Sequence, residues 1–245
     1  MSNYWSIRSK RFNEQYWVKN QEYLLEFVKS GKFQPTDVVL DVGTGTGKVA
    51  KAVAPLVKAT IAIDISMQML RVARQNPSPP NVLYGNFSVE QLPYQNGTFD
   101  KLTARMVFHH ILKERDKAMQ ECFRILKRPG LIIFSEGVPP DERARPLYDK
   151  IFKLKEQRVS FLPDEIKELL ENAGFSSVKL KPFWMRRVST RSWLESSGLP
   201  ESVINKILSL HIHASEHFKK VYKMEIIEKD AIVDWKFIIA TGLKV

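Results

Sequence analysis

Between Asp37 and residue 135, short runs of apolar, largely β-branched residues alternate with segments in which apolar positions recur every three or four residues. The apolar runs predict strands at 38–42, 61–65, 81–84, 101–105 and 131–135. The segments with helical spacing predict helices at 48–57, 67–74, 89–91 and 114–126. Such alternation is typical of an α/β fold with a doubly wound, mainly parallel sheet, whose ligands bind beyond the carboxyl ends of the strands.

The same periodicities continue on both sides of this region. Apolar positions at 9–30 predict one amphipathic helix that ends at Gly31. Further helices are predicted at 143–158, 164–173 and 201–221, and two more strands at 178–188 and 231–241. About 40 residues separate these last two strands, whereas a hairpin connection needs only a few, so a helical insertion is expected between them.

We therefore expect a single domain over residues 1–245. Its core comprises about 33–183 and 231–245, and cap elements occupy about 1–32, 138–160 and 184–230. The content of 44% hydrophobic and 27% charged residues is typical of a globular protein. No apolar run has the length of a membrane span and no signal peptide is visible, so we expect a cytoplasmic protein without membrane insertion. The one cysteine, Cys122, excludes a disulfide within the chain.

The net charge of +11 suits three kinds of partner, namely a nucleic acid, an anionic membrane surface or a negatively charged small substrate. From Arg143 to Arg191 there are twelve Lys and Arg residues against six Asp and Glu residues. We expect the substrate to bind in this region. A solvated surface that keeps the protein in solution would explain the same charge without a ligand.

The strongest signal is the point at which the first predicted strand runs into Gly43-Thr44-Gly45-Thr46-Gly47. Glycine permits positive φ and lets a ligand lie against the backbone. A dinucleotide site needs glycine at the first, third and sixth positions of this turn, and the sixth is Lys48. Glycine at the fifth position, with Asp41 two residues before the first, suits a nucleoside without a pyrophosphate, and we predict S-adenosylmethionine. A tight turn without a ligand is the alternative.

Asp64 is independent support for a nucleoside site, because it lies at the carboxyl end of the second predicted strand, 17 residues after Gly47. A carboxylate at this place can accept both hydroxyl hydrogens of a ribose. NAD sites use the same contact, and N-capping of the following helix would explain Asp64 without a ligand. Ile65 and Met67 come directly afterwards and are expected to cover a face of the adenine.

Several motifs follow in order after the glycine-rich turn. They are Glu90-Gln91-Leu92-Pro93-Tyr94, Gly97-Thr98-Phe99-Asp100, His109-His110 and Arg124-Ile125-Leu126-Lys127-Arg128-Pro129-Gly130. With these motifs the chain resembles the class I methyltransferases over about 38–175, and most of all the branch related to the ubiquinone/menaquinone-biosynthesis C-methyltransferases. The resemblance implies a seven-stranded Rossmann-like sheet with an N-terminal helix and a helical insertion between the last two strands. It also implies S-adenosylmethionine as the methyl donor and S-adenosylhomocysteine as the product.

The motifs together predict the residues of the donor site. They are Asp41, Gly43, Thr44, Gly45, Gly47, Asp64, Ile65, Met67, Ser88, Val89 and Arg105. The resemblance implies that Asp41, Gly43 and Gly45 line the methionine end, and that the backbone carbonyl of Arg105 accepts a hydrogen bond from the methionine amine.

The adenine contact departs from the pattern of the family. Relatives usually have Gly-Asp-Ala where this chain has Phe87-Ser88-Val89. Ser88 would then offer a hydroxyl to the adenine amine instead of a carboxylate. Under a shifted register Asn86 would take this place.

Methyl transfer from a sulfonium is an in-line displacement, so alignment and exclusion of water supply much of the catalysis. An oxygen or nitrogen acceptor still loses a proton, and His109 and His110 are the predicted catalytic residues, although a packing role would explain either. A metal-dependent variant of the family has a Glu-x-x-Glu-His cluster here, whereas this chain has Met106, His109 and His110. Because both acids are missing, we predict no metal. His213 and His217 have the spacing of a zinc pair, for which a solvated helix face is the ordinary explanation.

Aromatic and basic side chains in the cap regions predict the acceptor site. They are Tyr4, Tyr16, Trp184, Arg186 and Arg187. Such a pocket suits a planar or hydrophobic acceptor that carries a carboxylate or phosphate, although core packing would explain the same residues. Three hypotheses stay open, namely a methyltransferase for a small molecule, an RNA (tRNA) modification methyltransferase of the same fold, and a non-catalytic S-adenosylmethionine-binding protein. Neither the acceptor nor the oligomeric state can be predicted from these patterns.

Overall fold

The computed structural model describes residues 11–245, so the predicted role of Tyr4 lies outside the described residues. In that part of the chain, eight strands form one sheet. They are β1 (Val38–Val42), β2 (Ala59–Ile63), β3 (Val82–Gly85), β4 (Phe99–Arg105), β5 (Leu126–Val138), β6 (Ser176–Ser189), β7 (Glu225–Ile227) and β8 (Asp230–Lys244).

Along the sheet the strand order is β3-β2-β1-β4-β5-β8-β6, and β7 pairs with the first residues of β8. Strands β1 to β5 are parallel, and β8 is antiparallel to both β5 and β6. The order reverses between β1 and β4, which leaves a crevice beyond their carboxyl ends. The predicted doubly wound α/β sheet is confirmed, and the short β7 adds an eighth strand to the predicted seven.

Helices lie between the strands and in the cap. They are α1 (Tyr16–Lys19), α2 (Gln21–Ser30), α3 (Lys48–Val53), α4 (Met67–Gln75), α5 (Arg115–Ile125), α6 (Arg145–Lys155), α7 (Pro163–Asn172), α8 (Thr190–Ser196), α9 (Glu201–Ile212) and α10 (Glu216–Val221). Short 3-10 helices occur at Phe12–Glu14, Ala54–Leu56, Phe108–His110 and Glu142–Ala144.

The prediction of one continuous helix at 9–30 is wrong, because Asn20 separates α1 from α2. Asn20 has an extended backbone, and its side-chain oxygen accepts a hydrogen bond from the backbone N–H of Tyr23 at 2.7 Å. This bond caps the start of α2. Val18 before the break and Tyr23 after it are both buried, so the apolar spacing continues through the break and hides it.

Proline shortens two of the predicted helices. The helix predicted at 48–57 ends at Val53, and Pro55 lies in the first turn of a separate 3-10 helix. The helix predicted at 143–158 begins at Arg145 as α6, with Pro146 in its first turn. Proline is tolerated there because backbone N–H groups in the first turn have no hydrogen-bond acceptor within the helix.

Polar side chains interrupt two other predicted helices. The prediction of a helix at 89–91 is wrong, because the Ser88 hydroxyl accepts the backbone N–H of Glu90 and the chain forms a turn. The run predicted at 201–221 is divided into α9 and α10, because the Ser215 hydroxyl caps the start of α10.

The last two long strands extend further than their patterns predicted. β6 continues to Ser189 and β8 begins at Asp230, so 184–189 belongs to the sheet and not to the cap. β2, in contrast, ends at Ile63, which leaves Asp64 in the loop beyond the strand.

Among residues 11–245, the core has one large apolar cluster on each face of the sheet, a third within the cap and a small fourth that contains Ala50, Ala62 and Val82. Phe134 and Met119 belong to the first cluster, and Phe27 belongs to the second. In the cap, Trp193 on α8 and Ile207 on α9 pack with α6, α10 and the start of β8. The cap therefore has its own apolar core beside the crevice. Within residues 11–245, no helix is both long enough and apolar enough to cross a membrane.

Candidate active site

The turn after β1 has three backbone conformations that favour glycine. Gly43, Gly45 and Gly47 have φ values of 61°, 56° and 82°. A Cβ atom on Gly43 would lie 2.5 Å from Cγ2 of Val107, and one on Gly45 would lie 3.2 Å from the ring of Phe12. Any side chain at these two positions would be strained and crowded, so the turn keeps bare backbone next to the crevice.

Asp41 fixes the conformation of this turn. Its buried carboxylate accepts hydrogen bonds from Thr44 Oγ1 at 2.6 Å and from Thr103 Oγ1 at 2.7 Å. Burial raises the pKa of Asp41 to about 6, while these two bonds and the charge of Arg105 act in the opposite direction. The contacts of Asp41 are thus to the protein's own hydroxyl groups, and they brace the loop that carries the glycines.

Asp64 lies just beyond β2 and faces the turn. Its Oδ2 accepts the backbone N–H of Gly45 at 2.8 Å, and its Oδ1 accepts that of Ser66 at 2.8 Å. Burial raises the pKa of Asp64, and the two backbone hydrogen bonds oppose this rise. Because each carboxylate oxygen has a second lone pair, a carboxylate held in this way can also accept two hydroxyl hydrogens.

A cavity of about 560 Å³ extends from the turn to the cap. What we call its donor end is lined by Gly43, Gly45, Asp64, Ile65, Met69, Phe87, Ser88 and Val89. What we call its acceptor end is lined by His109, His110, Tyr148, Phe152, Lys155, Glu156, Arg158, Trp193, Tyr222 and Trp235. The volume is in the range of sites for small ligands and cofactors.

Five of the predicted donor-binding residues do not line this cavity. They are Asp41, Thr44, Gly47, Met67 and Arg105. Met67 is 44% exposed at the start of α4, and Met69, two residues further round the helix, lines the cavity instead. Gly47 is the N-cap residue of α3, and its positive φ serves the turn into that helix.

Arg105 is buried next to the donor end. Its guanidinium group lies over the rings of Trp17 and Tyr23, at 5.5 Å and 5.3 Å from the ring centroids. With Asp41 and Thr44 it lines a small pocket of about 30 Å³ that adjoins the main cavity and shares Phe12, Trp17, Gly43 and Met106 with it. Burial lowers the pKa of Arg105, and Tyr23 and Asp41 oppose this effect.

The structure distinguishes the two candidates for the adenine contact. Ser88 lines the cavity, and its hydroxyl donates to Glu90 Oε2 at 3.0 Å. Asn86 does not line the cavity, since its Nδ2 donates to the backbone carbonyl of Asp64 at 2.8 Å.

The segment before α2 covers one side of the donor end. Phe12 and Trp17 line the cavity and meet edge to face, with ring centroids 5.4 Å apart. Thr46 Oγ1 donates to Asn13 Oδ1 at 2.6 Å, which connects this segment to the glycine-rich turn. Tyr16, predicted as an acceptor contact, is 39% exposed and does not line the cavity.

His109 and His110 both line the acceptor end, on the 3-10 helix that follows β4. His109 is buried, and its Nδ1 lies 2.6 Å from Oε2 of Glu136 on β5. The ring centroids of the two histidines are 3.9 Å apart. Burial raises the pKa of Glu136 to about 7, and the positive charge of Arg158 opposes this rise.

A group of charged side chains follows at the end of α6. Lys155 Nζ donates to Glu156 Oε2 at 2.9 Å, and Arg158 Nη1 lies 3.7 Å from Glu156 Oε1. His109, His110 and Glu156 offer possible metal-ligand atoms within 4.8 Å of one another. Glu156 thus brings a carboxylate close to the two histidines, although it is distant from them in the sequence. A divalent cation there would compete with two positive charges for Glu156. The absence of a metal stays a prediction.

The predicted acceptor contacts on β6 lie outside the cavity. Exposed Arg186 pairs with buried Asp234, and Arg187 pairs with Glu225 at the surface. Trp184 contacts the cavity-lining Lys236, whose Nζ is 5.8 Å from its ring centroid, but does not line the cavity itself. β6 is the edge strand of the sheet, and these three side chains on it do not line the cavity, contrary to the prediction.

His213 and His217, whose spacing would also suit a zinc pair, have separate hydrogen-bond partners. His217 Nε2 bonds to Asp141 Oδ2 at 2.8 Å, whereas exposed His213 bonds within α9 to the carbonyl of Ser209. His211 lines the cavity instead, and burial lowers its pKa to about 4.

Sequence reasoning missed the charged residues of the acceptor end, Glu136, Lys155, Glu156 and Arg158. Glu136 had a usable signal, because it is an acid within an otherwise apolar strand. The other three lie within or beside the basic stretch from 143 onward, where the substrate was expected, but nothing in their spacing singled them out.

Comparison with known proteins gives a consistent result. Residues 40–134 match the family model of a methyltransferase domain. The chain is 26% identical over 229 residues to the uncharacterized methyltransferase YcgJ of Bacillus subtilis, covering 89% of this chain and 88% of that protein. It is 28% identical over 171 residues to the demethylmenaquinone methyltransferase of Thermotoga maritima, covering 60% of this chain and 72% of the relative. The YcgJ crystal structure shares the fold, with a TM-score of 0.83 at 22% identity over 92% of this chain and 99% of the other.

The matched residues run from β1 into β5 and include the glycine-rich turn, Asp64 and His109. The chain is a class I S-adenosylmethionine-dependent methyltransferase. It is also similar to the ubiquinone/menaquinone biosynthesis C-methyltransferase of Hydrogenovibrio crunogenus, with 34% identity over 110 residues that cover 42% of this chain and 43% of the relative. The donor end of this methyltransferase fits its cofactor, because Gly43 and Gly45 leave the backbone bare and Asp64 offers two oriented oxygens.

Proposed function

We propose that this methyltransferase transfers a methyl group to a small, planar, anionic metabolite bound at the acceptor end. The observation that carries the proposal is the presence of Lys155 and Arg158 in the wall of the cavity. Their side chains are only 4% and 3% exposed. Cations in the wall of a cavity attract ligands of opposite charge, so we infer an anionic group on the acceptor.

Two carboxyl groups, those of Glu136 and Glu156, line or adjoin the acceptor end near these cations. Glu156 lies beside both cations and neutralises one of them. Glu136 is bonded to His109, and a carboxyl group with a pKa of about 7 is only partly charged at neutral pH. Buried cations with these neighbours favour an acceptor that carries an anionic group.

The aromatic side chains favour a planar molecule. Arg158 Cζ lies 4.3 Å from the centroid of the Phe152 ring, and Lys155 Nζ lies 5.3 Å from that of Trp193. Trp193 and Trp235 meet edge to face with centroids 4.9 Å apart. A flat acceptor with a carboxylate or phosphate could contact these rings while its anionic group pairs with the cations.

RNA is the alternative acceptor that the net charge of +11 suggests. RNA binding requires Lys and Arg side chains that neutralise phosphates and displace the counterions bound to the RNA. Three arginines of the basic region are instead paired with acids of this chain, namely Arg186, Arg187 and Arg191. This favours the small-molecule acceptor. A cytoplasmic location stays a prediction.

The experiment uses S-adenosylmethionine with a deuterium-labelled methyl group, and the purified protein is incubated separately with a cellular small-molecule extract and with tRNA. We expect a labelled product in the small-molecule fraction that is detected as an anion by mass spectrometry. Label only in tRNA, with binding that weakens steeply as salt rises, would overturn the proposal. Binding of S-adenosylhomocysteine without transfer to any fraction would favour a non-catalytic donor-binding protein.

Lys155→Met tests the anionic group once the acceptor is known. Loss of a buried charged partner should raise KM for the acceptor by about 10–100-fold, with a smaller effect on kcat. Lys153→Met is the matched control, because Lys153 is exposed on the same helix. S-adenosylhomocysteine affinity should be unchanged in both variants, which shows that the donor end is intact. Equal acceptor KM in both variants would contradict an anionic contact.

A further inference from the structure

Glu136 is fully buried, with 0% of its surface exposed. It lies on β5 one residue beyond the last pairing with β4, Arg105 with Ser135, where the chain leaves β4 towards His109. Its Oε1 accepts the backbone N–H groups of Val107 at 3.1 Å and of His109 at 3.2 Å. Its Oε2 lies 2.6 Å from Nδ1 of the His109 ring. The carboxyl group thus holds both the backbone and the ring of the same histidine.

These bonds determine which ring nitrogen of His109 carries the proton. Two N–H donors face Oε1, so Oε1 acts as an acceptor and Oε2 is left for the ring. Burial raises the pKa of Glu136 to about 7, so in mildly alkaline solution the group is a carboxylate that can only accept. Nδ1 of His109 then carries the hydrogen, and the lone pair of the ring is on Nε2.

The position of His109 connects the two ends of the cavity. The side chain of Val107, two residues earlier, packs on Gly43 of the donor end. The backbone carbonyl of His109 accepts the N–H of Val159 at 2.9 Å, next to Arg158 of the acceptor end. The ring therefore lies between the turn that binds the donor and the segment that carries the acceptor-end cations.

We propose that Glu136 holds His109 in the tautomer whose Nε2 removes the proton of the acceptor atom during methyl transfer. The proposal rests on the proposed function, because it requires an acceptor with an ionisable O–H, N–H or activated C–H group at the acceptor end. His109 is the catalytic residue, and Glu136 is a positioning residue that acts through it.

The step balances without a metal or an oxidant. The bond between the acceptor atom and its hydrogen breaks, the proton goes to Nε2 of His109, and the electron pair stays on the acceptor atom. That pair forms the bond to the methyl carbon while the carbon–sulfur bond of the donor breaks, with its electrons kept by sulfur. The imidazolium, next to the Glu136 carboxylate, then releases its proton to solvent.

Other charged and titratable groups at the acceptor end affect this proton. His110 contacts the His109 ring, and Lys155, Glu156 and Arg158 line the same end of the cavity. The two cations disfavour an imidazolium, whereas Glu136 and Glu156 favour it. Glu136 is the group among them that bonds to Nδ1 in the structure.

Glu136→Gln tests the tautomer with a minimal change of size. The two backbone N–H groups should hold the amide oxygen at the place of Oε1, so the amide NH₂ would face Nδ1 and donate to it. Nδ1 would then accept, and the hydrogen would move to Nε2, where it blocks the base. Long-range proton–nitrogen NMR on the full chain in mildly alkaline buffer identifies the protonated nitrogen, with His109→Asn used for assignment.

We expect hydrogen on Nδ1 of His109 in the unaltered protein and on Nε2 in Glu136→Gln. Hydrogen on Nε2 in the unaltered protein, or the same tautomer in both proteins, would overturn the proposal. The experiment needs no acceptor, so a failure here is distinct from a failure to find an anionic metabolite. Zinc bound in stoichiometric amount, measured by elemental analysis, would also overturn it, because the metal would occupy the lone pair.

Activity gives the second readout once the acceptor is identified. Glu136→Gln should lower kcat by about 10²–10⁴-fold with little change in KM, which is the range for loss of a general base. Glu121→Gln is the matched control, because Glu121 pairs with Arg124 outside the cavity and its loss should leave kcat unchanged. A kcat in Glu136→Gln equal to that of the control would contradict the role of Glu136.

Discussion

The donor end and the acceptor end of the cavity are built in different ways. The donor end depends on the backbone of one turn and on Asp64, whose carboxylate is oriented by N–H groups of the neighbouring loops. The acceptor end depends on side chains from distant segments, including Lys155 on α6 and Trp193 on α8. Donor binding is therefore a property of main-chain shape, whereas acceptor choice depends on a few charged and aromatic side chains. The predictions below separate the two ends.

The largest effect is expected for Gly43→Ala. A residue with a Cβ at φ 61° is strained by about 1–2 kcal/mol, and the Cβ would also overlap Val107. Overlap of this kind costs about a further 1–3 kcal/mol. Titration calorimetry with S-adenosylhomocysteine should show affinity reduced by about 100-fold or more.

Gly198→Ala is the matched control for this change. Gly198 also has a positive φ, of 71°, but a Cβ there would meet no atom within 4 Å. It should lose a comparable amount of backbone stability and keep full donor affinity. Equal donor affinity in the two variants would show that the turn does not bind the donor.

Asp64→Asn should have the next largest effect. An amide has one acceptor oxygen in place of two, and it lacks the charge that strengthens hydrogen bonds to hydroxyl groups. Donor affinity should fall by about 10–100-fold, with the unfolding free energy little changed. Asp116→Asn on the exposed first turn of α5 is the control. Unchanged donor affinity in Asp64→Asn would show that Asp64 does not bind the ribose.

A third effect is expected in stability against pH. The pKa of Glu136 is about 7 in the folded protein and 4.5 for an ordinary glutamate. The folded protein therefore binds this proton more tightly than the unfolded chain does, and protonation of Glu136 stabilises the fold. That contribution is fully present below about pH 4.5 and is lost as the pH rises through about 7.

Glutamine at position 136 does not ionise, so the comparison with the unaltered protein isolates this contribution. The stability of Glu136→Gln relative to the unaltered protein should rise by on the order of 1–3 kcal/mol between about pH 5 and about pH 8. Urea unfolding at several pH values measures the difference. A difference that is constant with pH would show that Glu136 has an ordinary pKa.

The smallest effect is expected for Arg187→Met. Arg187 pairs with Glu225 at the surface, and both side chains are more than half exposed. An exposed ion pair contributes about 0–1 kcal/mol, and the acceptor KM should change by less than about twofold. A large rise in KM, comparable to that of Lys155→Met, would place the acceptor against β6 and would contradict the position given to the acceptor end.

The same contrast explains what could be predicted from the sequence. The donor end lies in consecutive residues at strand ends, so Gly43, Gly45 and Asp64 were identified from local patterns and lie on the cavity. Met67 was misplaced relative to Met69 because the pattern does not give the rotation of a helix about its axis. The strands that form the sheet were also predicted, but their order in the sheet was not. β6 is the edge strand, and Arg186 and Arg187 on it do not line the cavity.

The acceptor end could not be predicted because its residues meet only after folding. Glu136 and His109 are 27 positions apart, and their contact depends on β5 continuing past the end of β4. Lys155 and Arg158 are part of a basic helix end that, as a sequence, looks like any solvated surface. Because α6 packs against the apolar core of the cap, the Lys155 and Arg158 side chains line the cavity.

A crystal structure with S-adenosylhomocysteine tests the central claim most directly, namely that donor and acceptor share one cavity with His109 between its two ends. We expect the ribose hydroxyl groups to donate hydrogen bonds to Asp64. We expect the sulfur to point towards the acceptor end, on the side lined by His109 and Lys155. A sulfur directed into the small pocket beside Asp41 and Arg105, or a His109 ring turned away from the cavity, would contradict it.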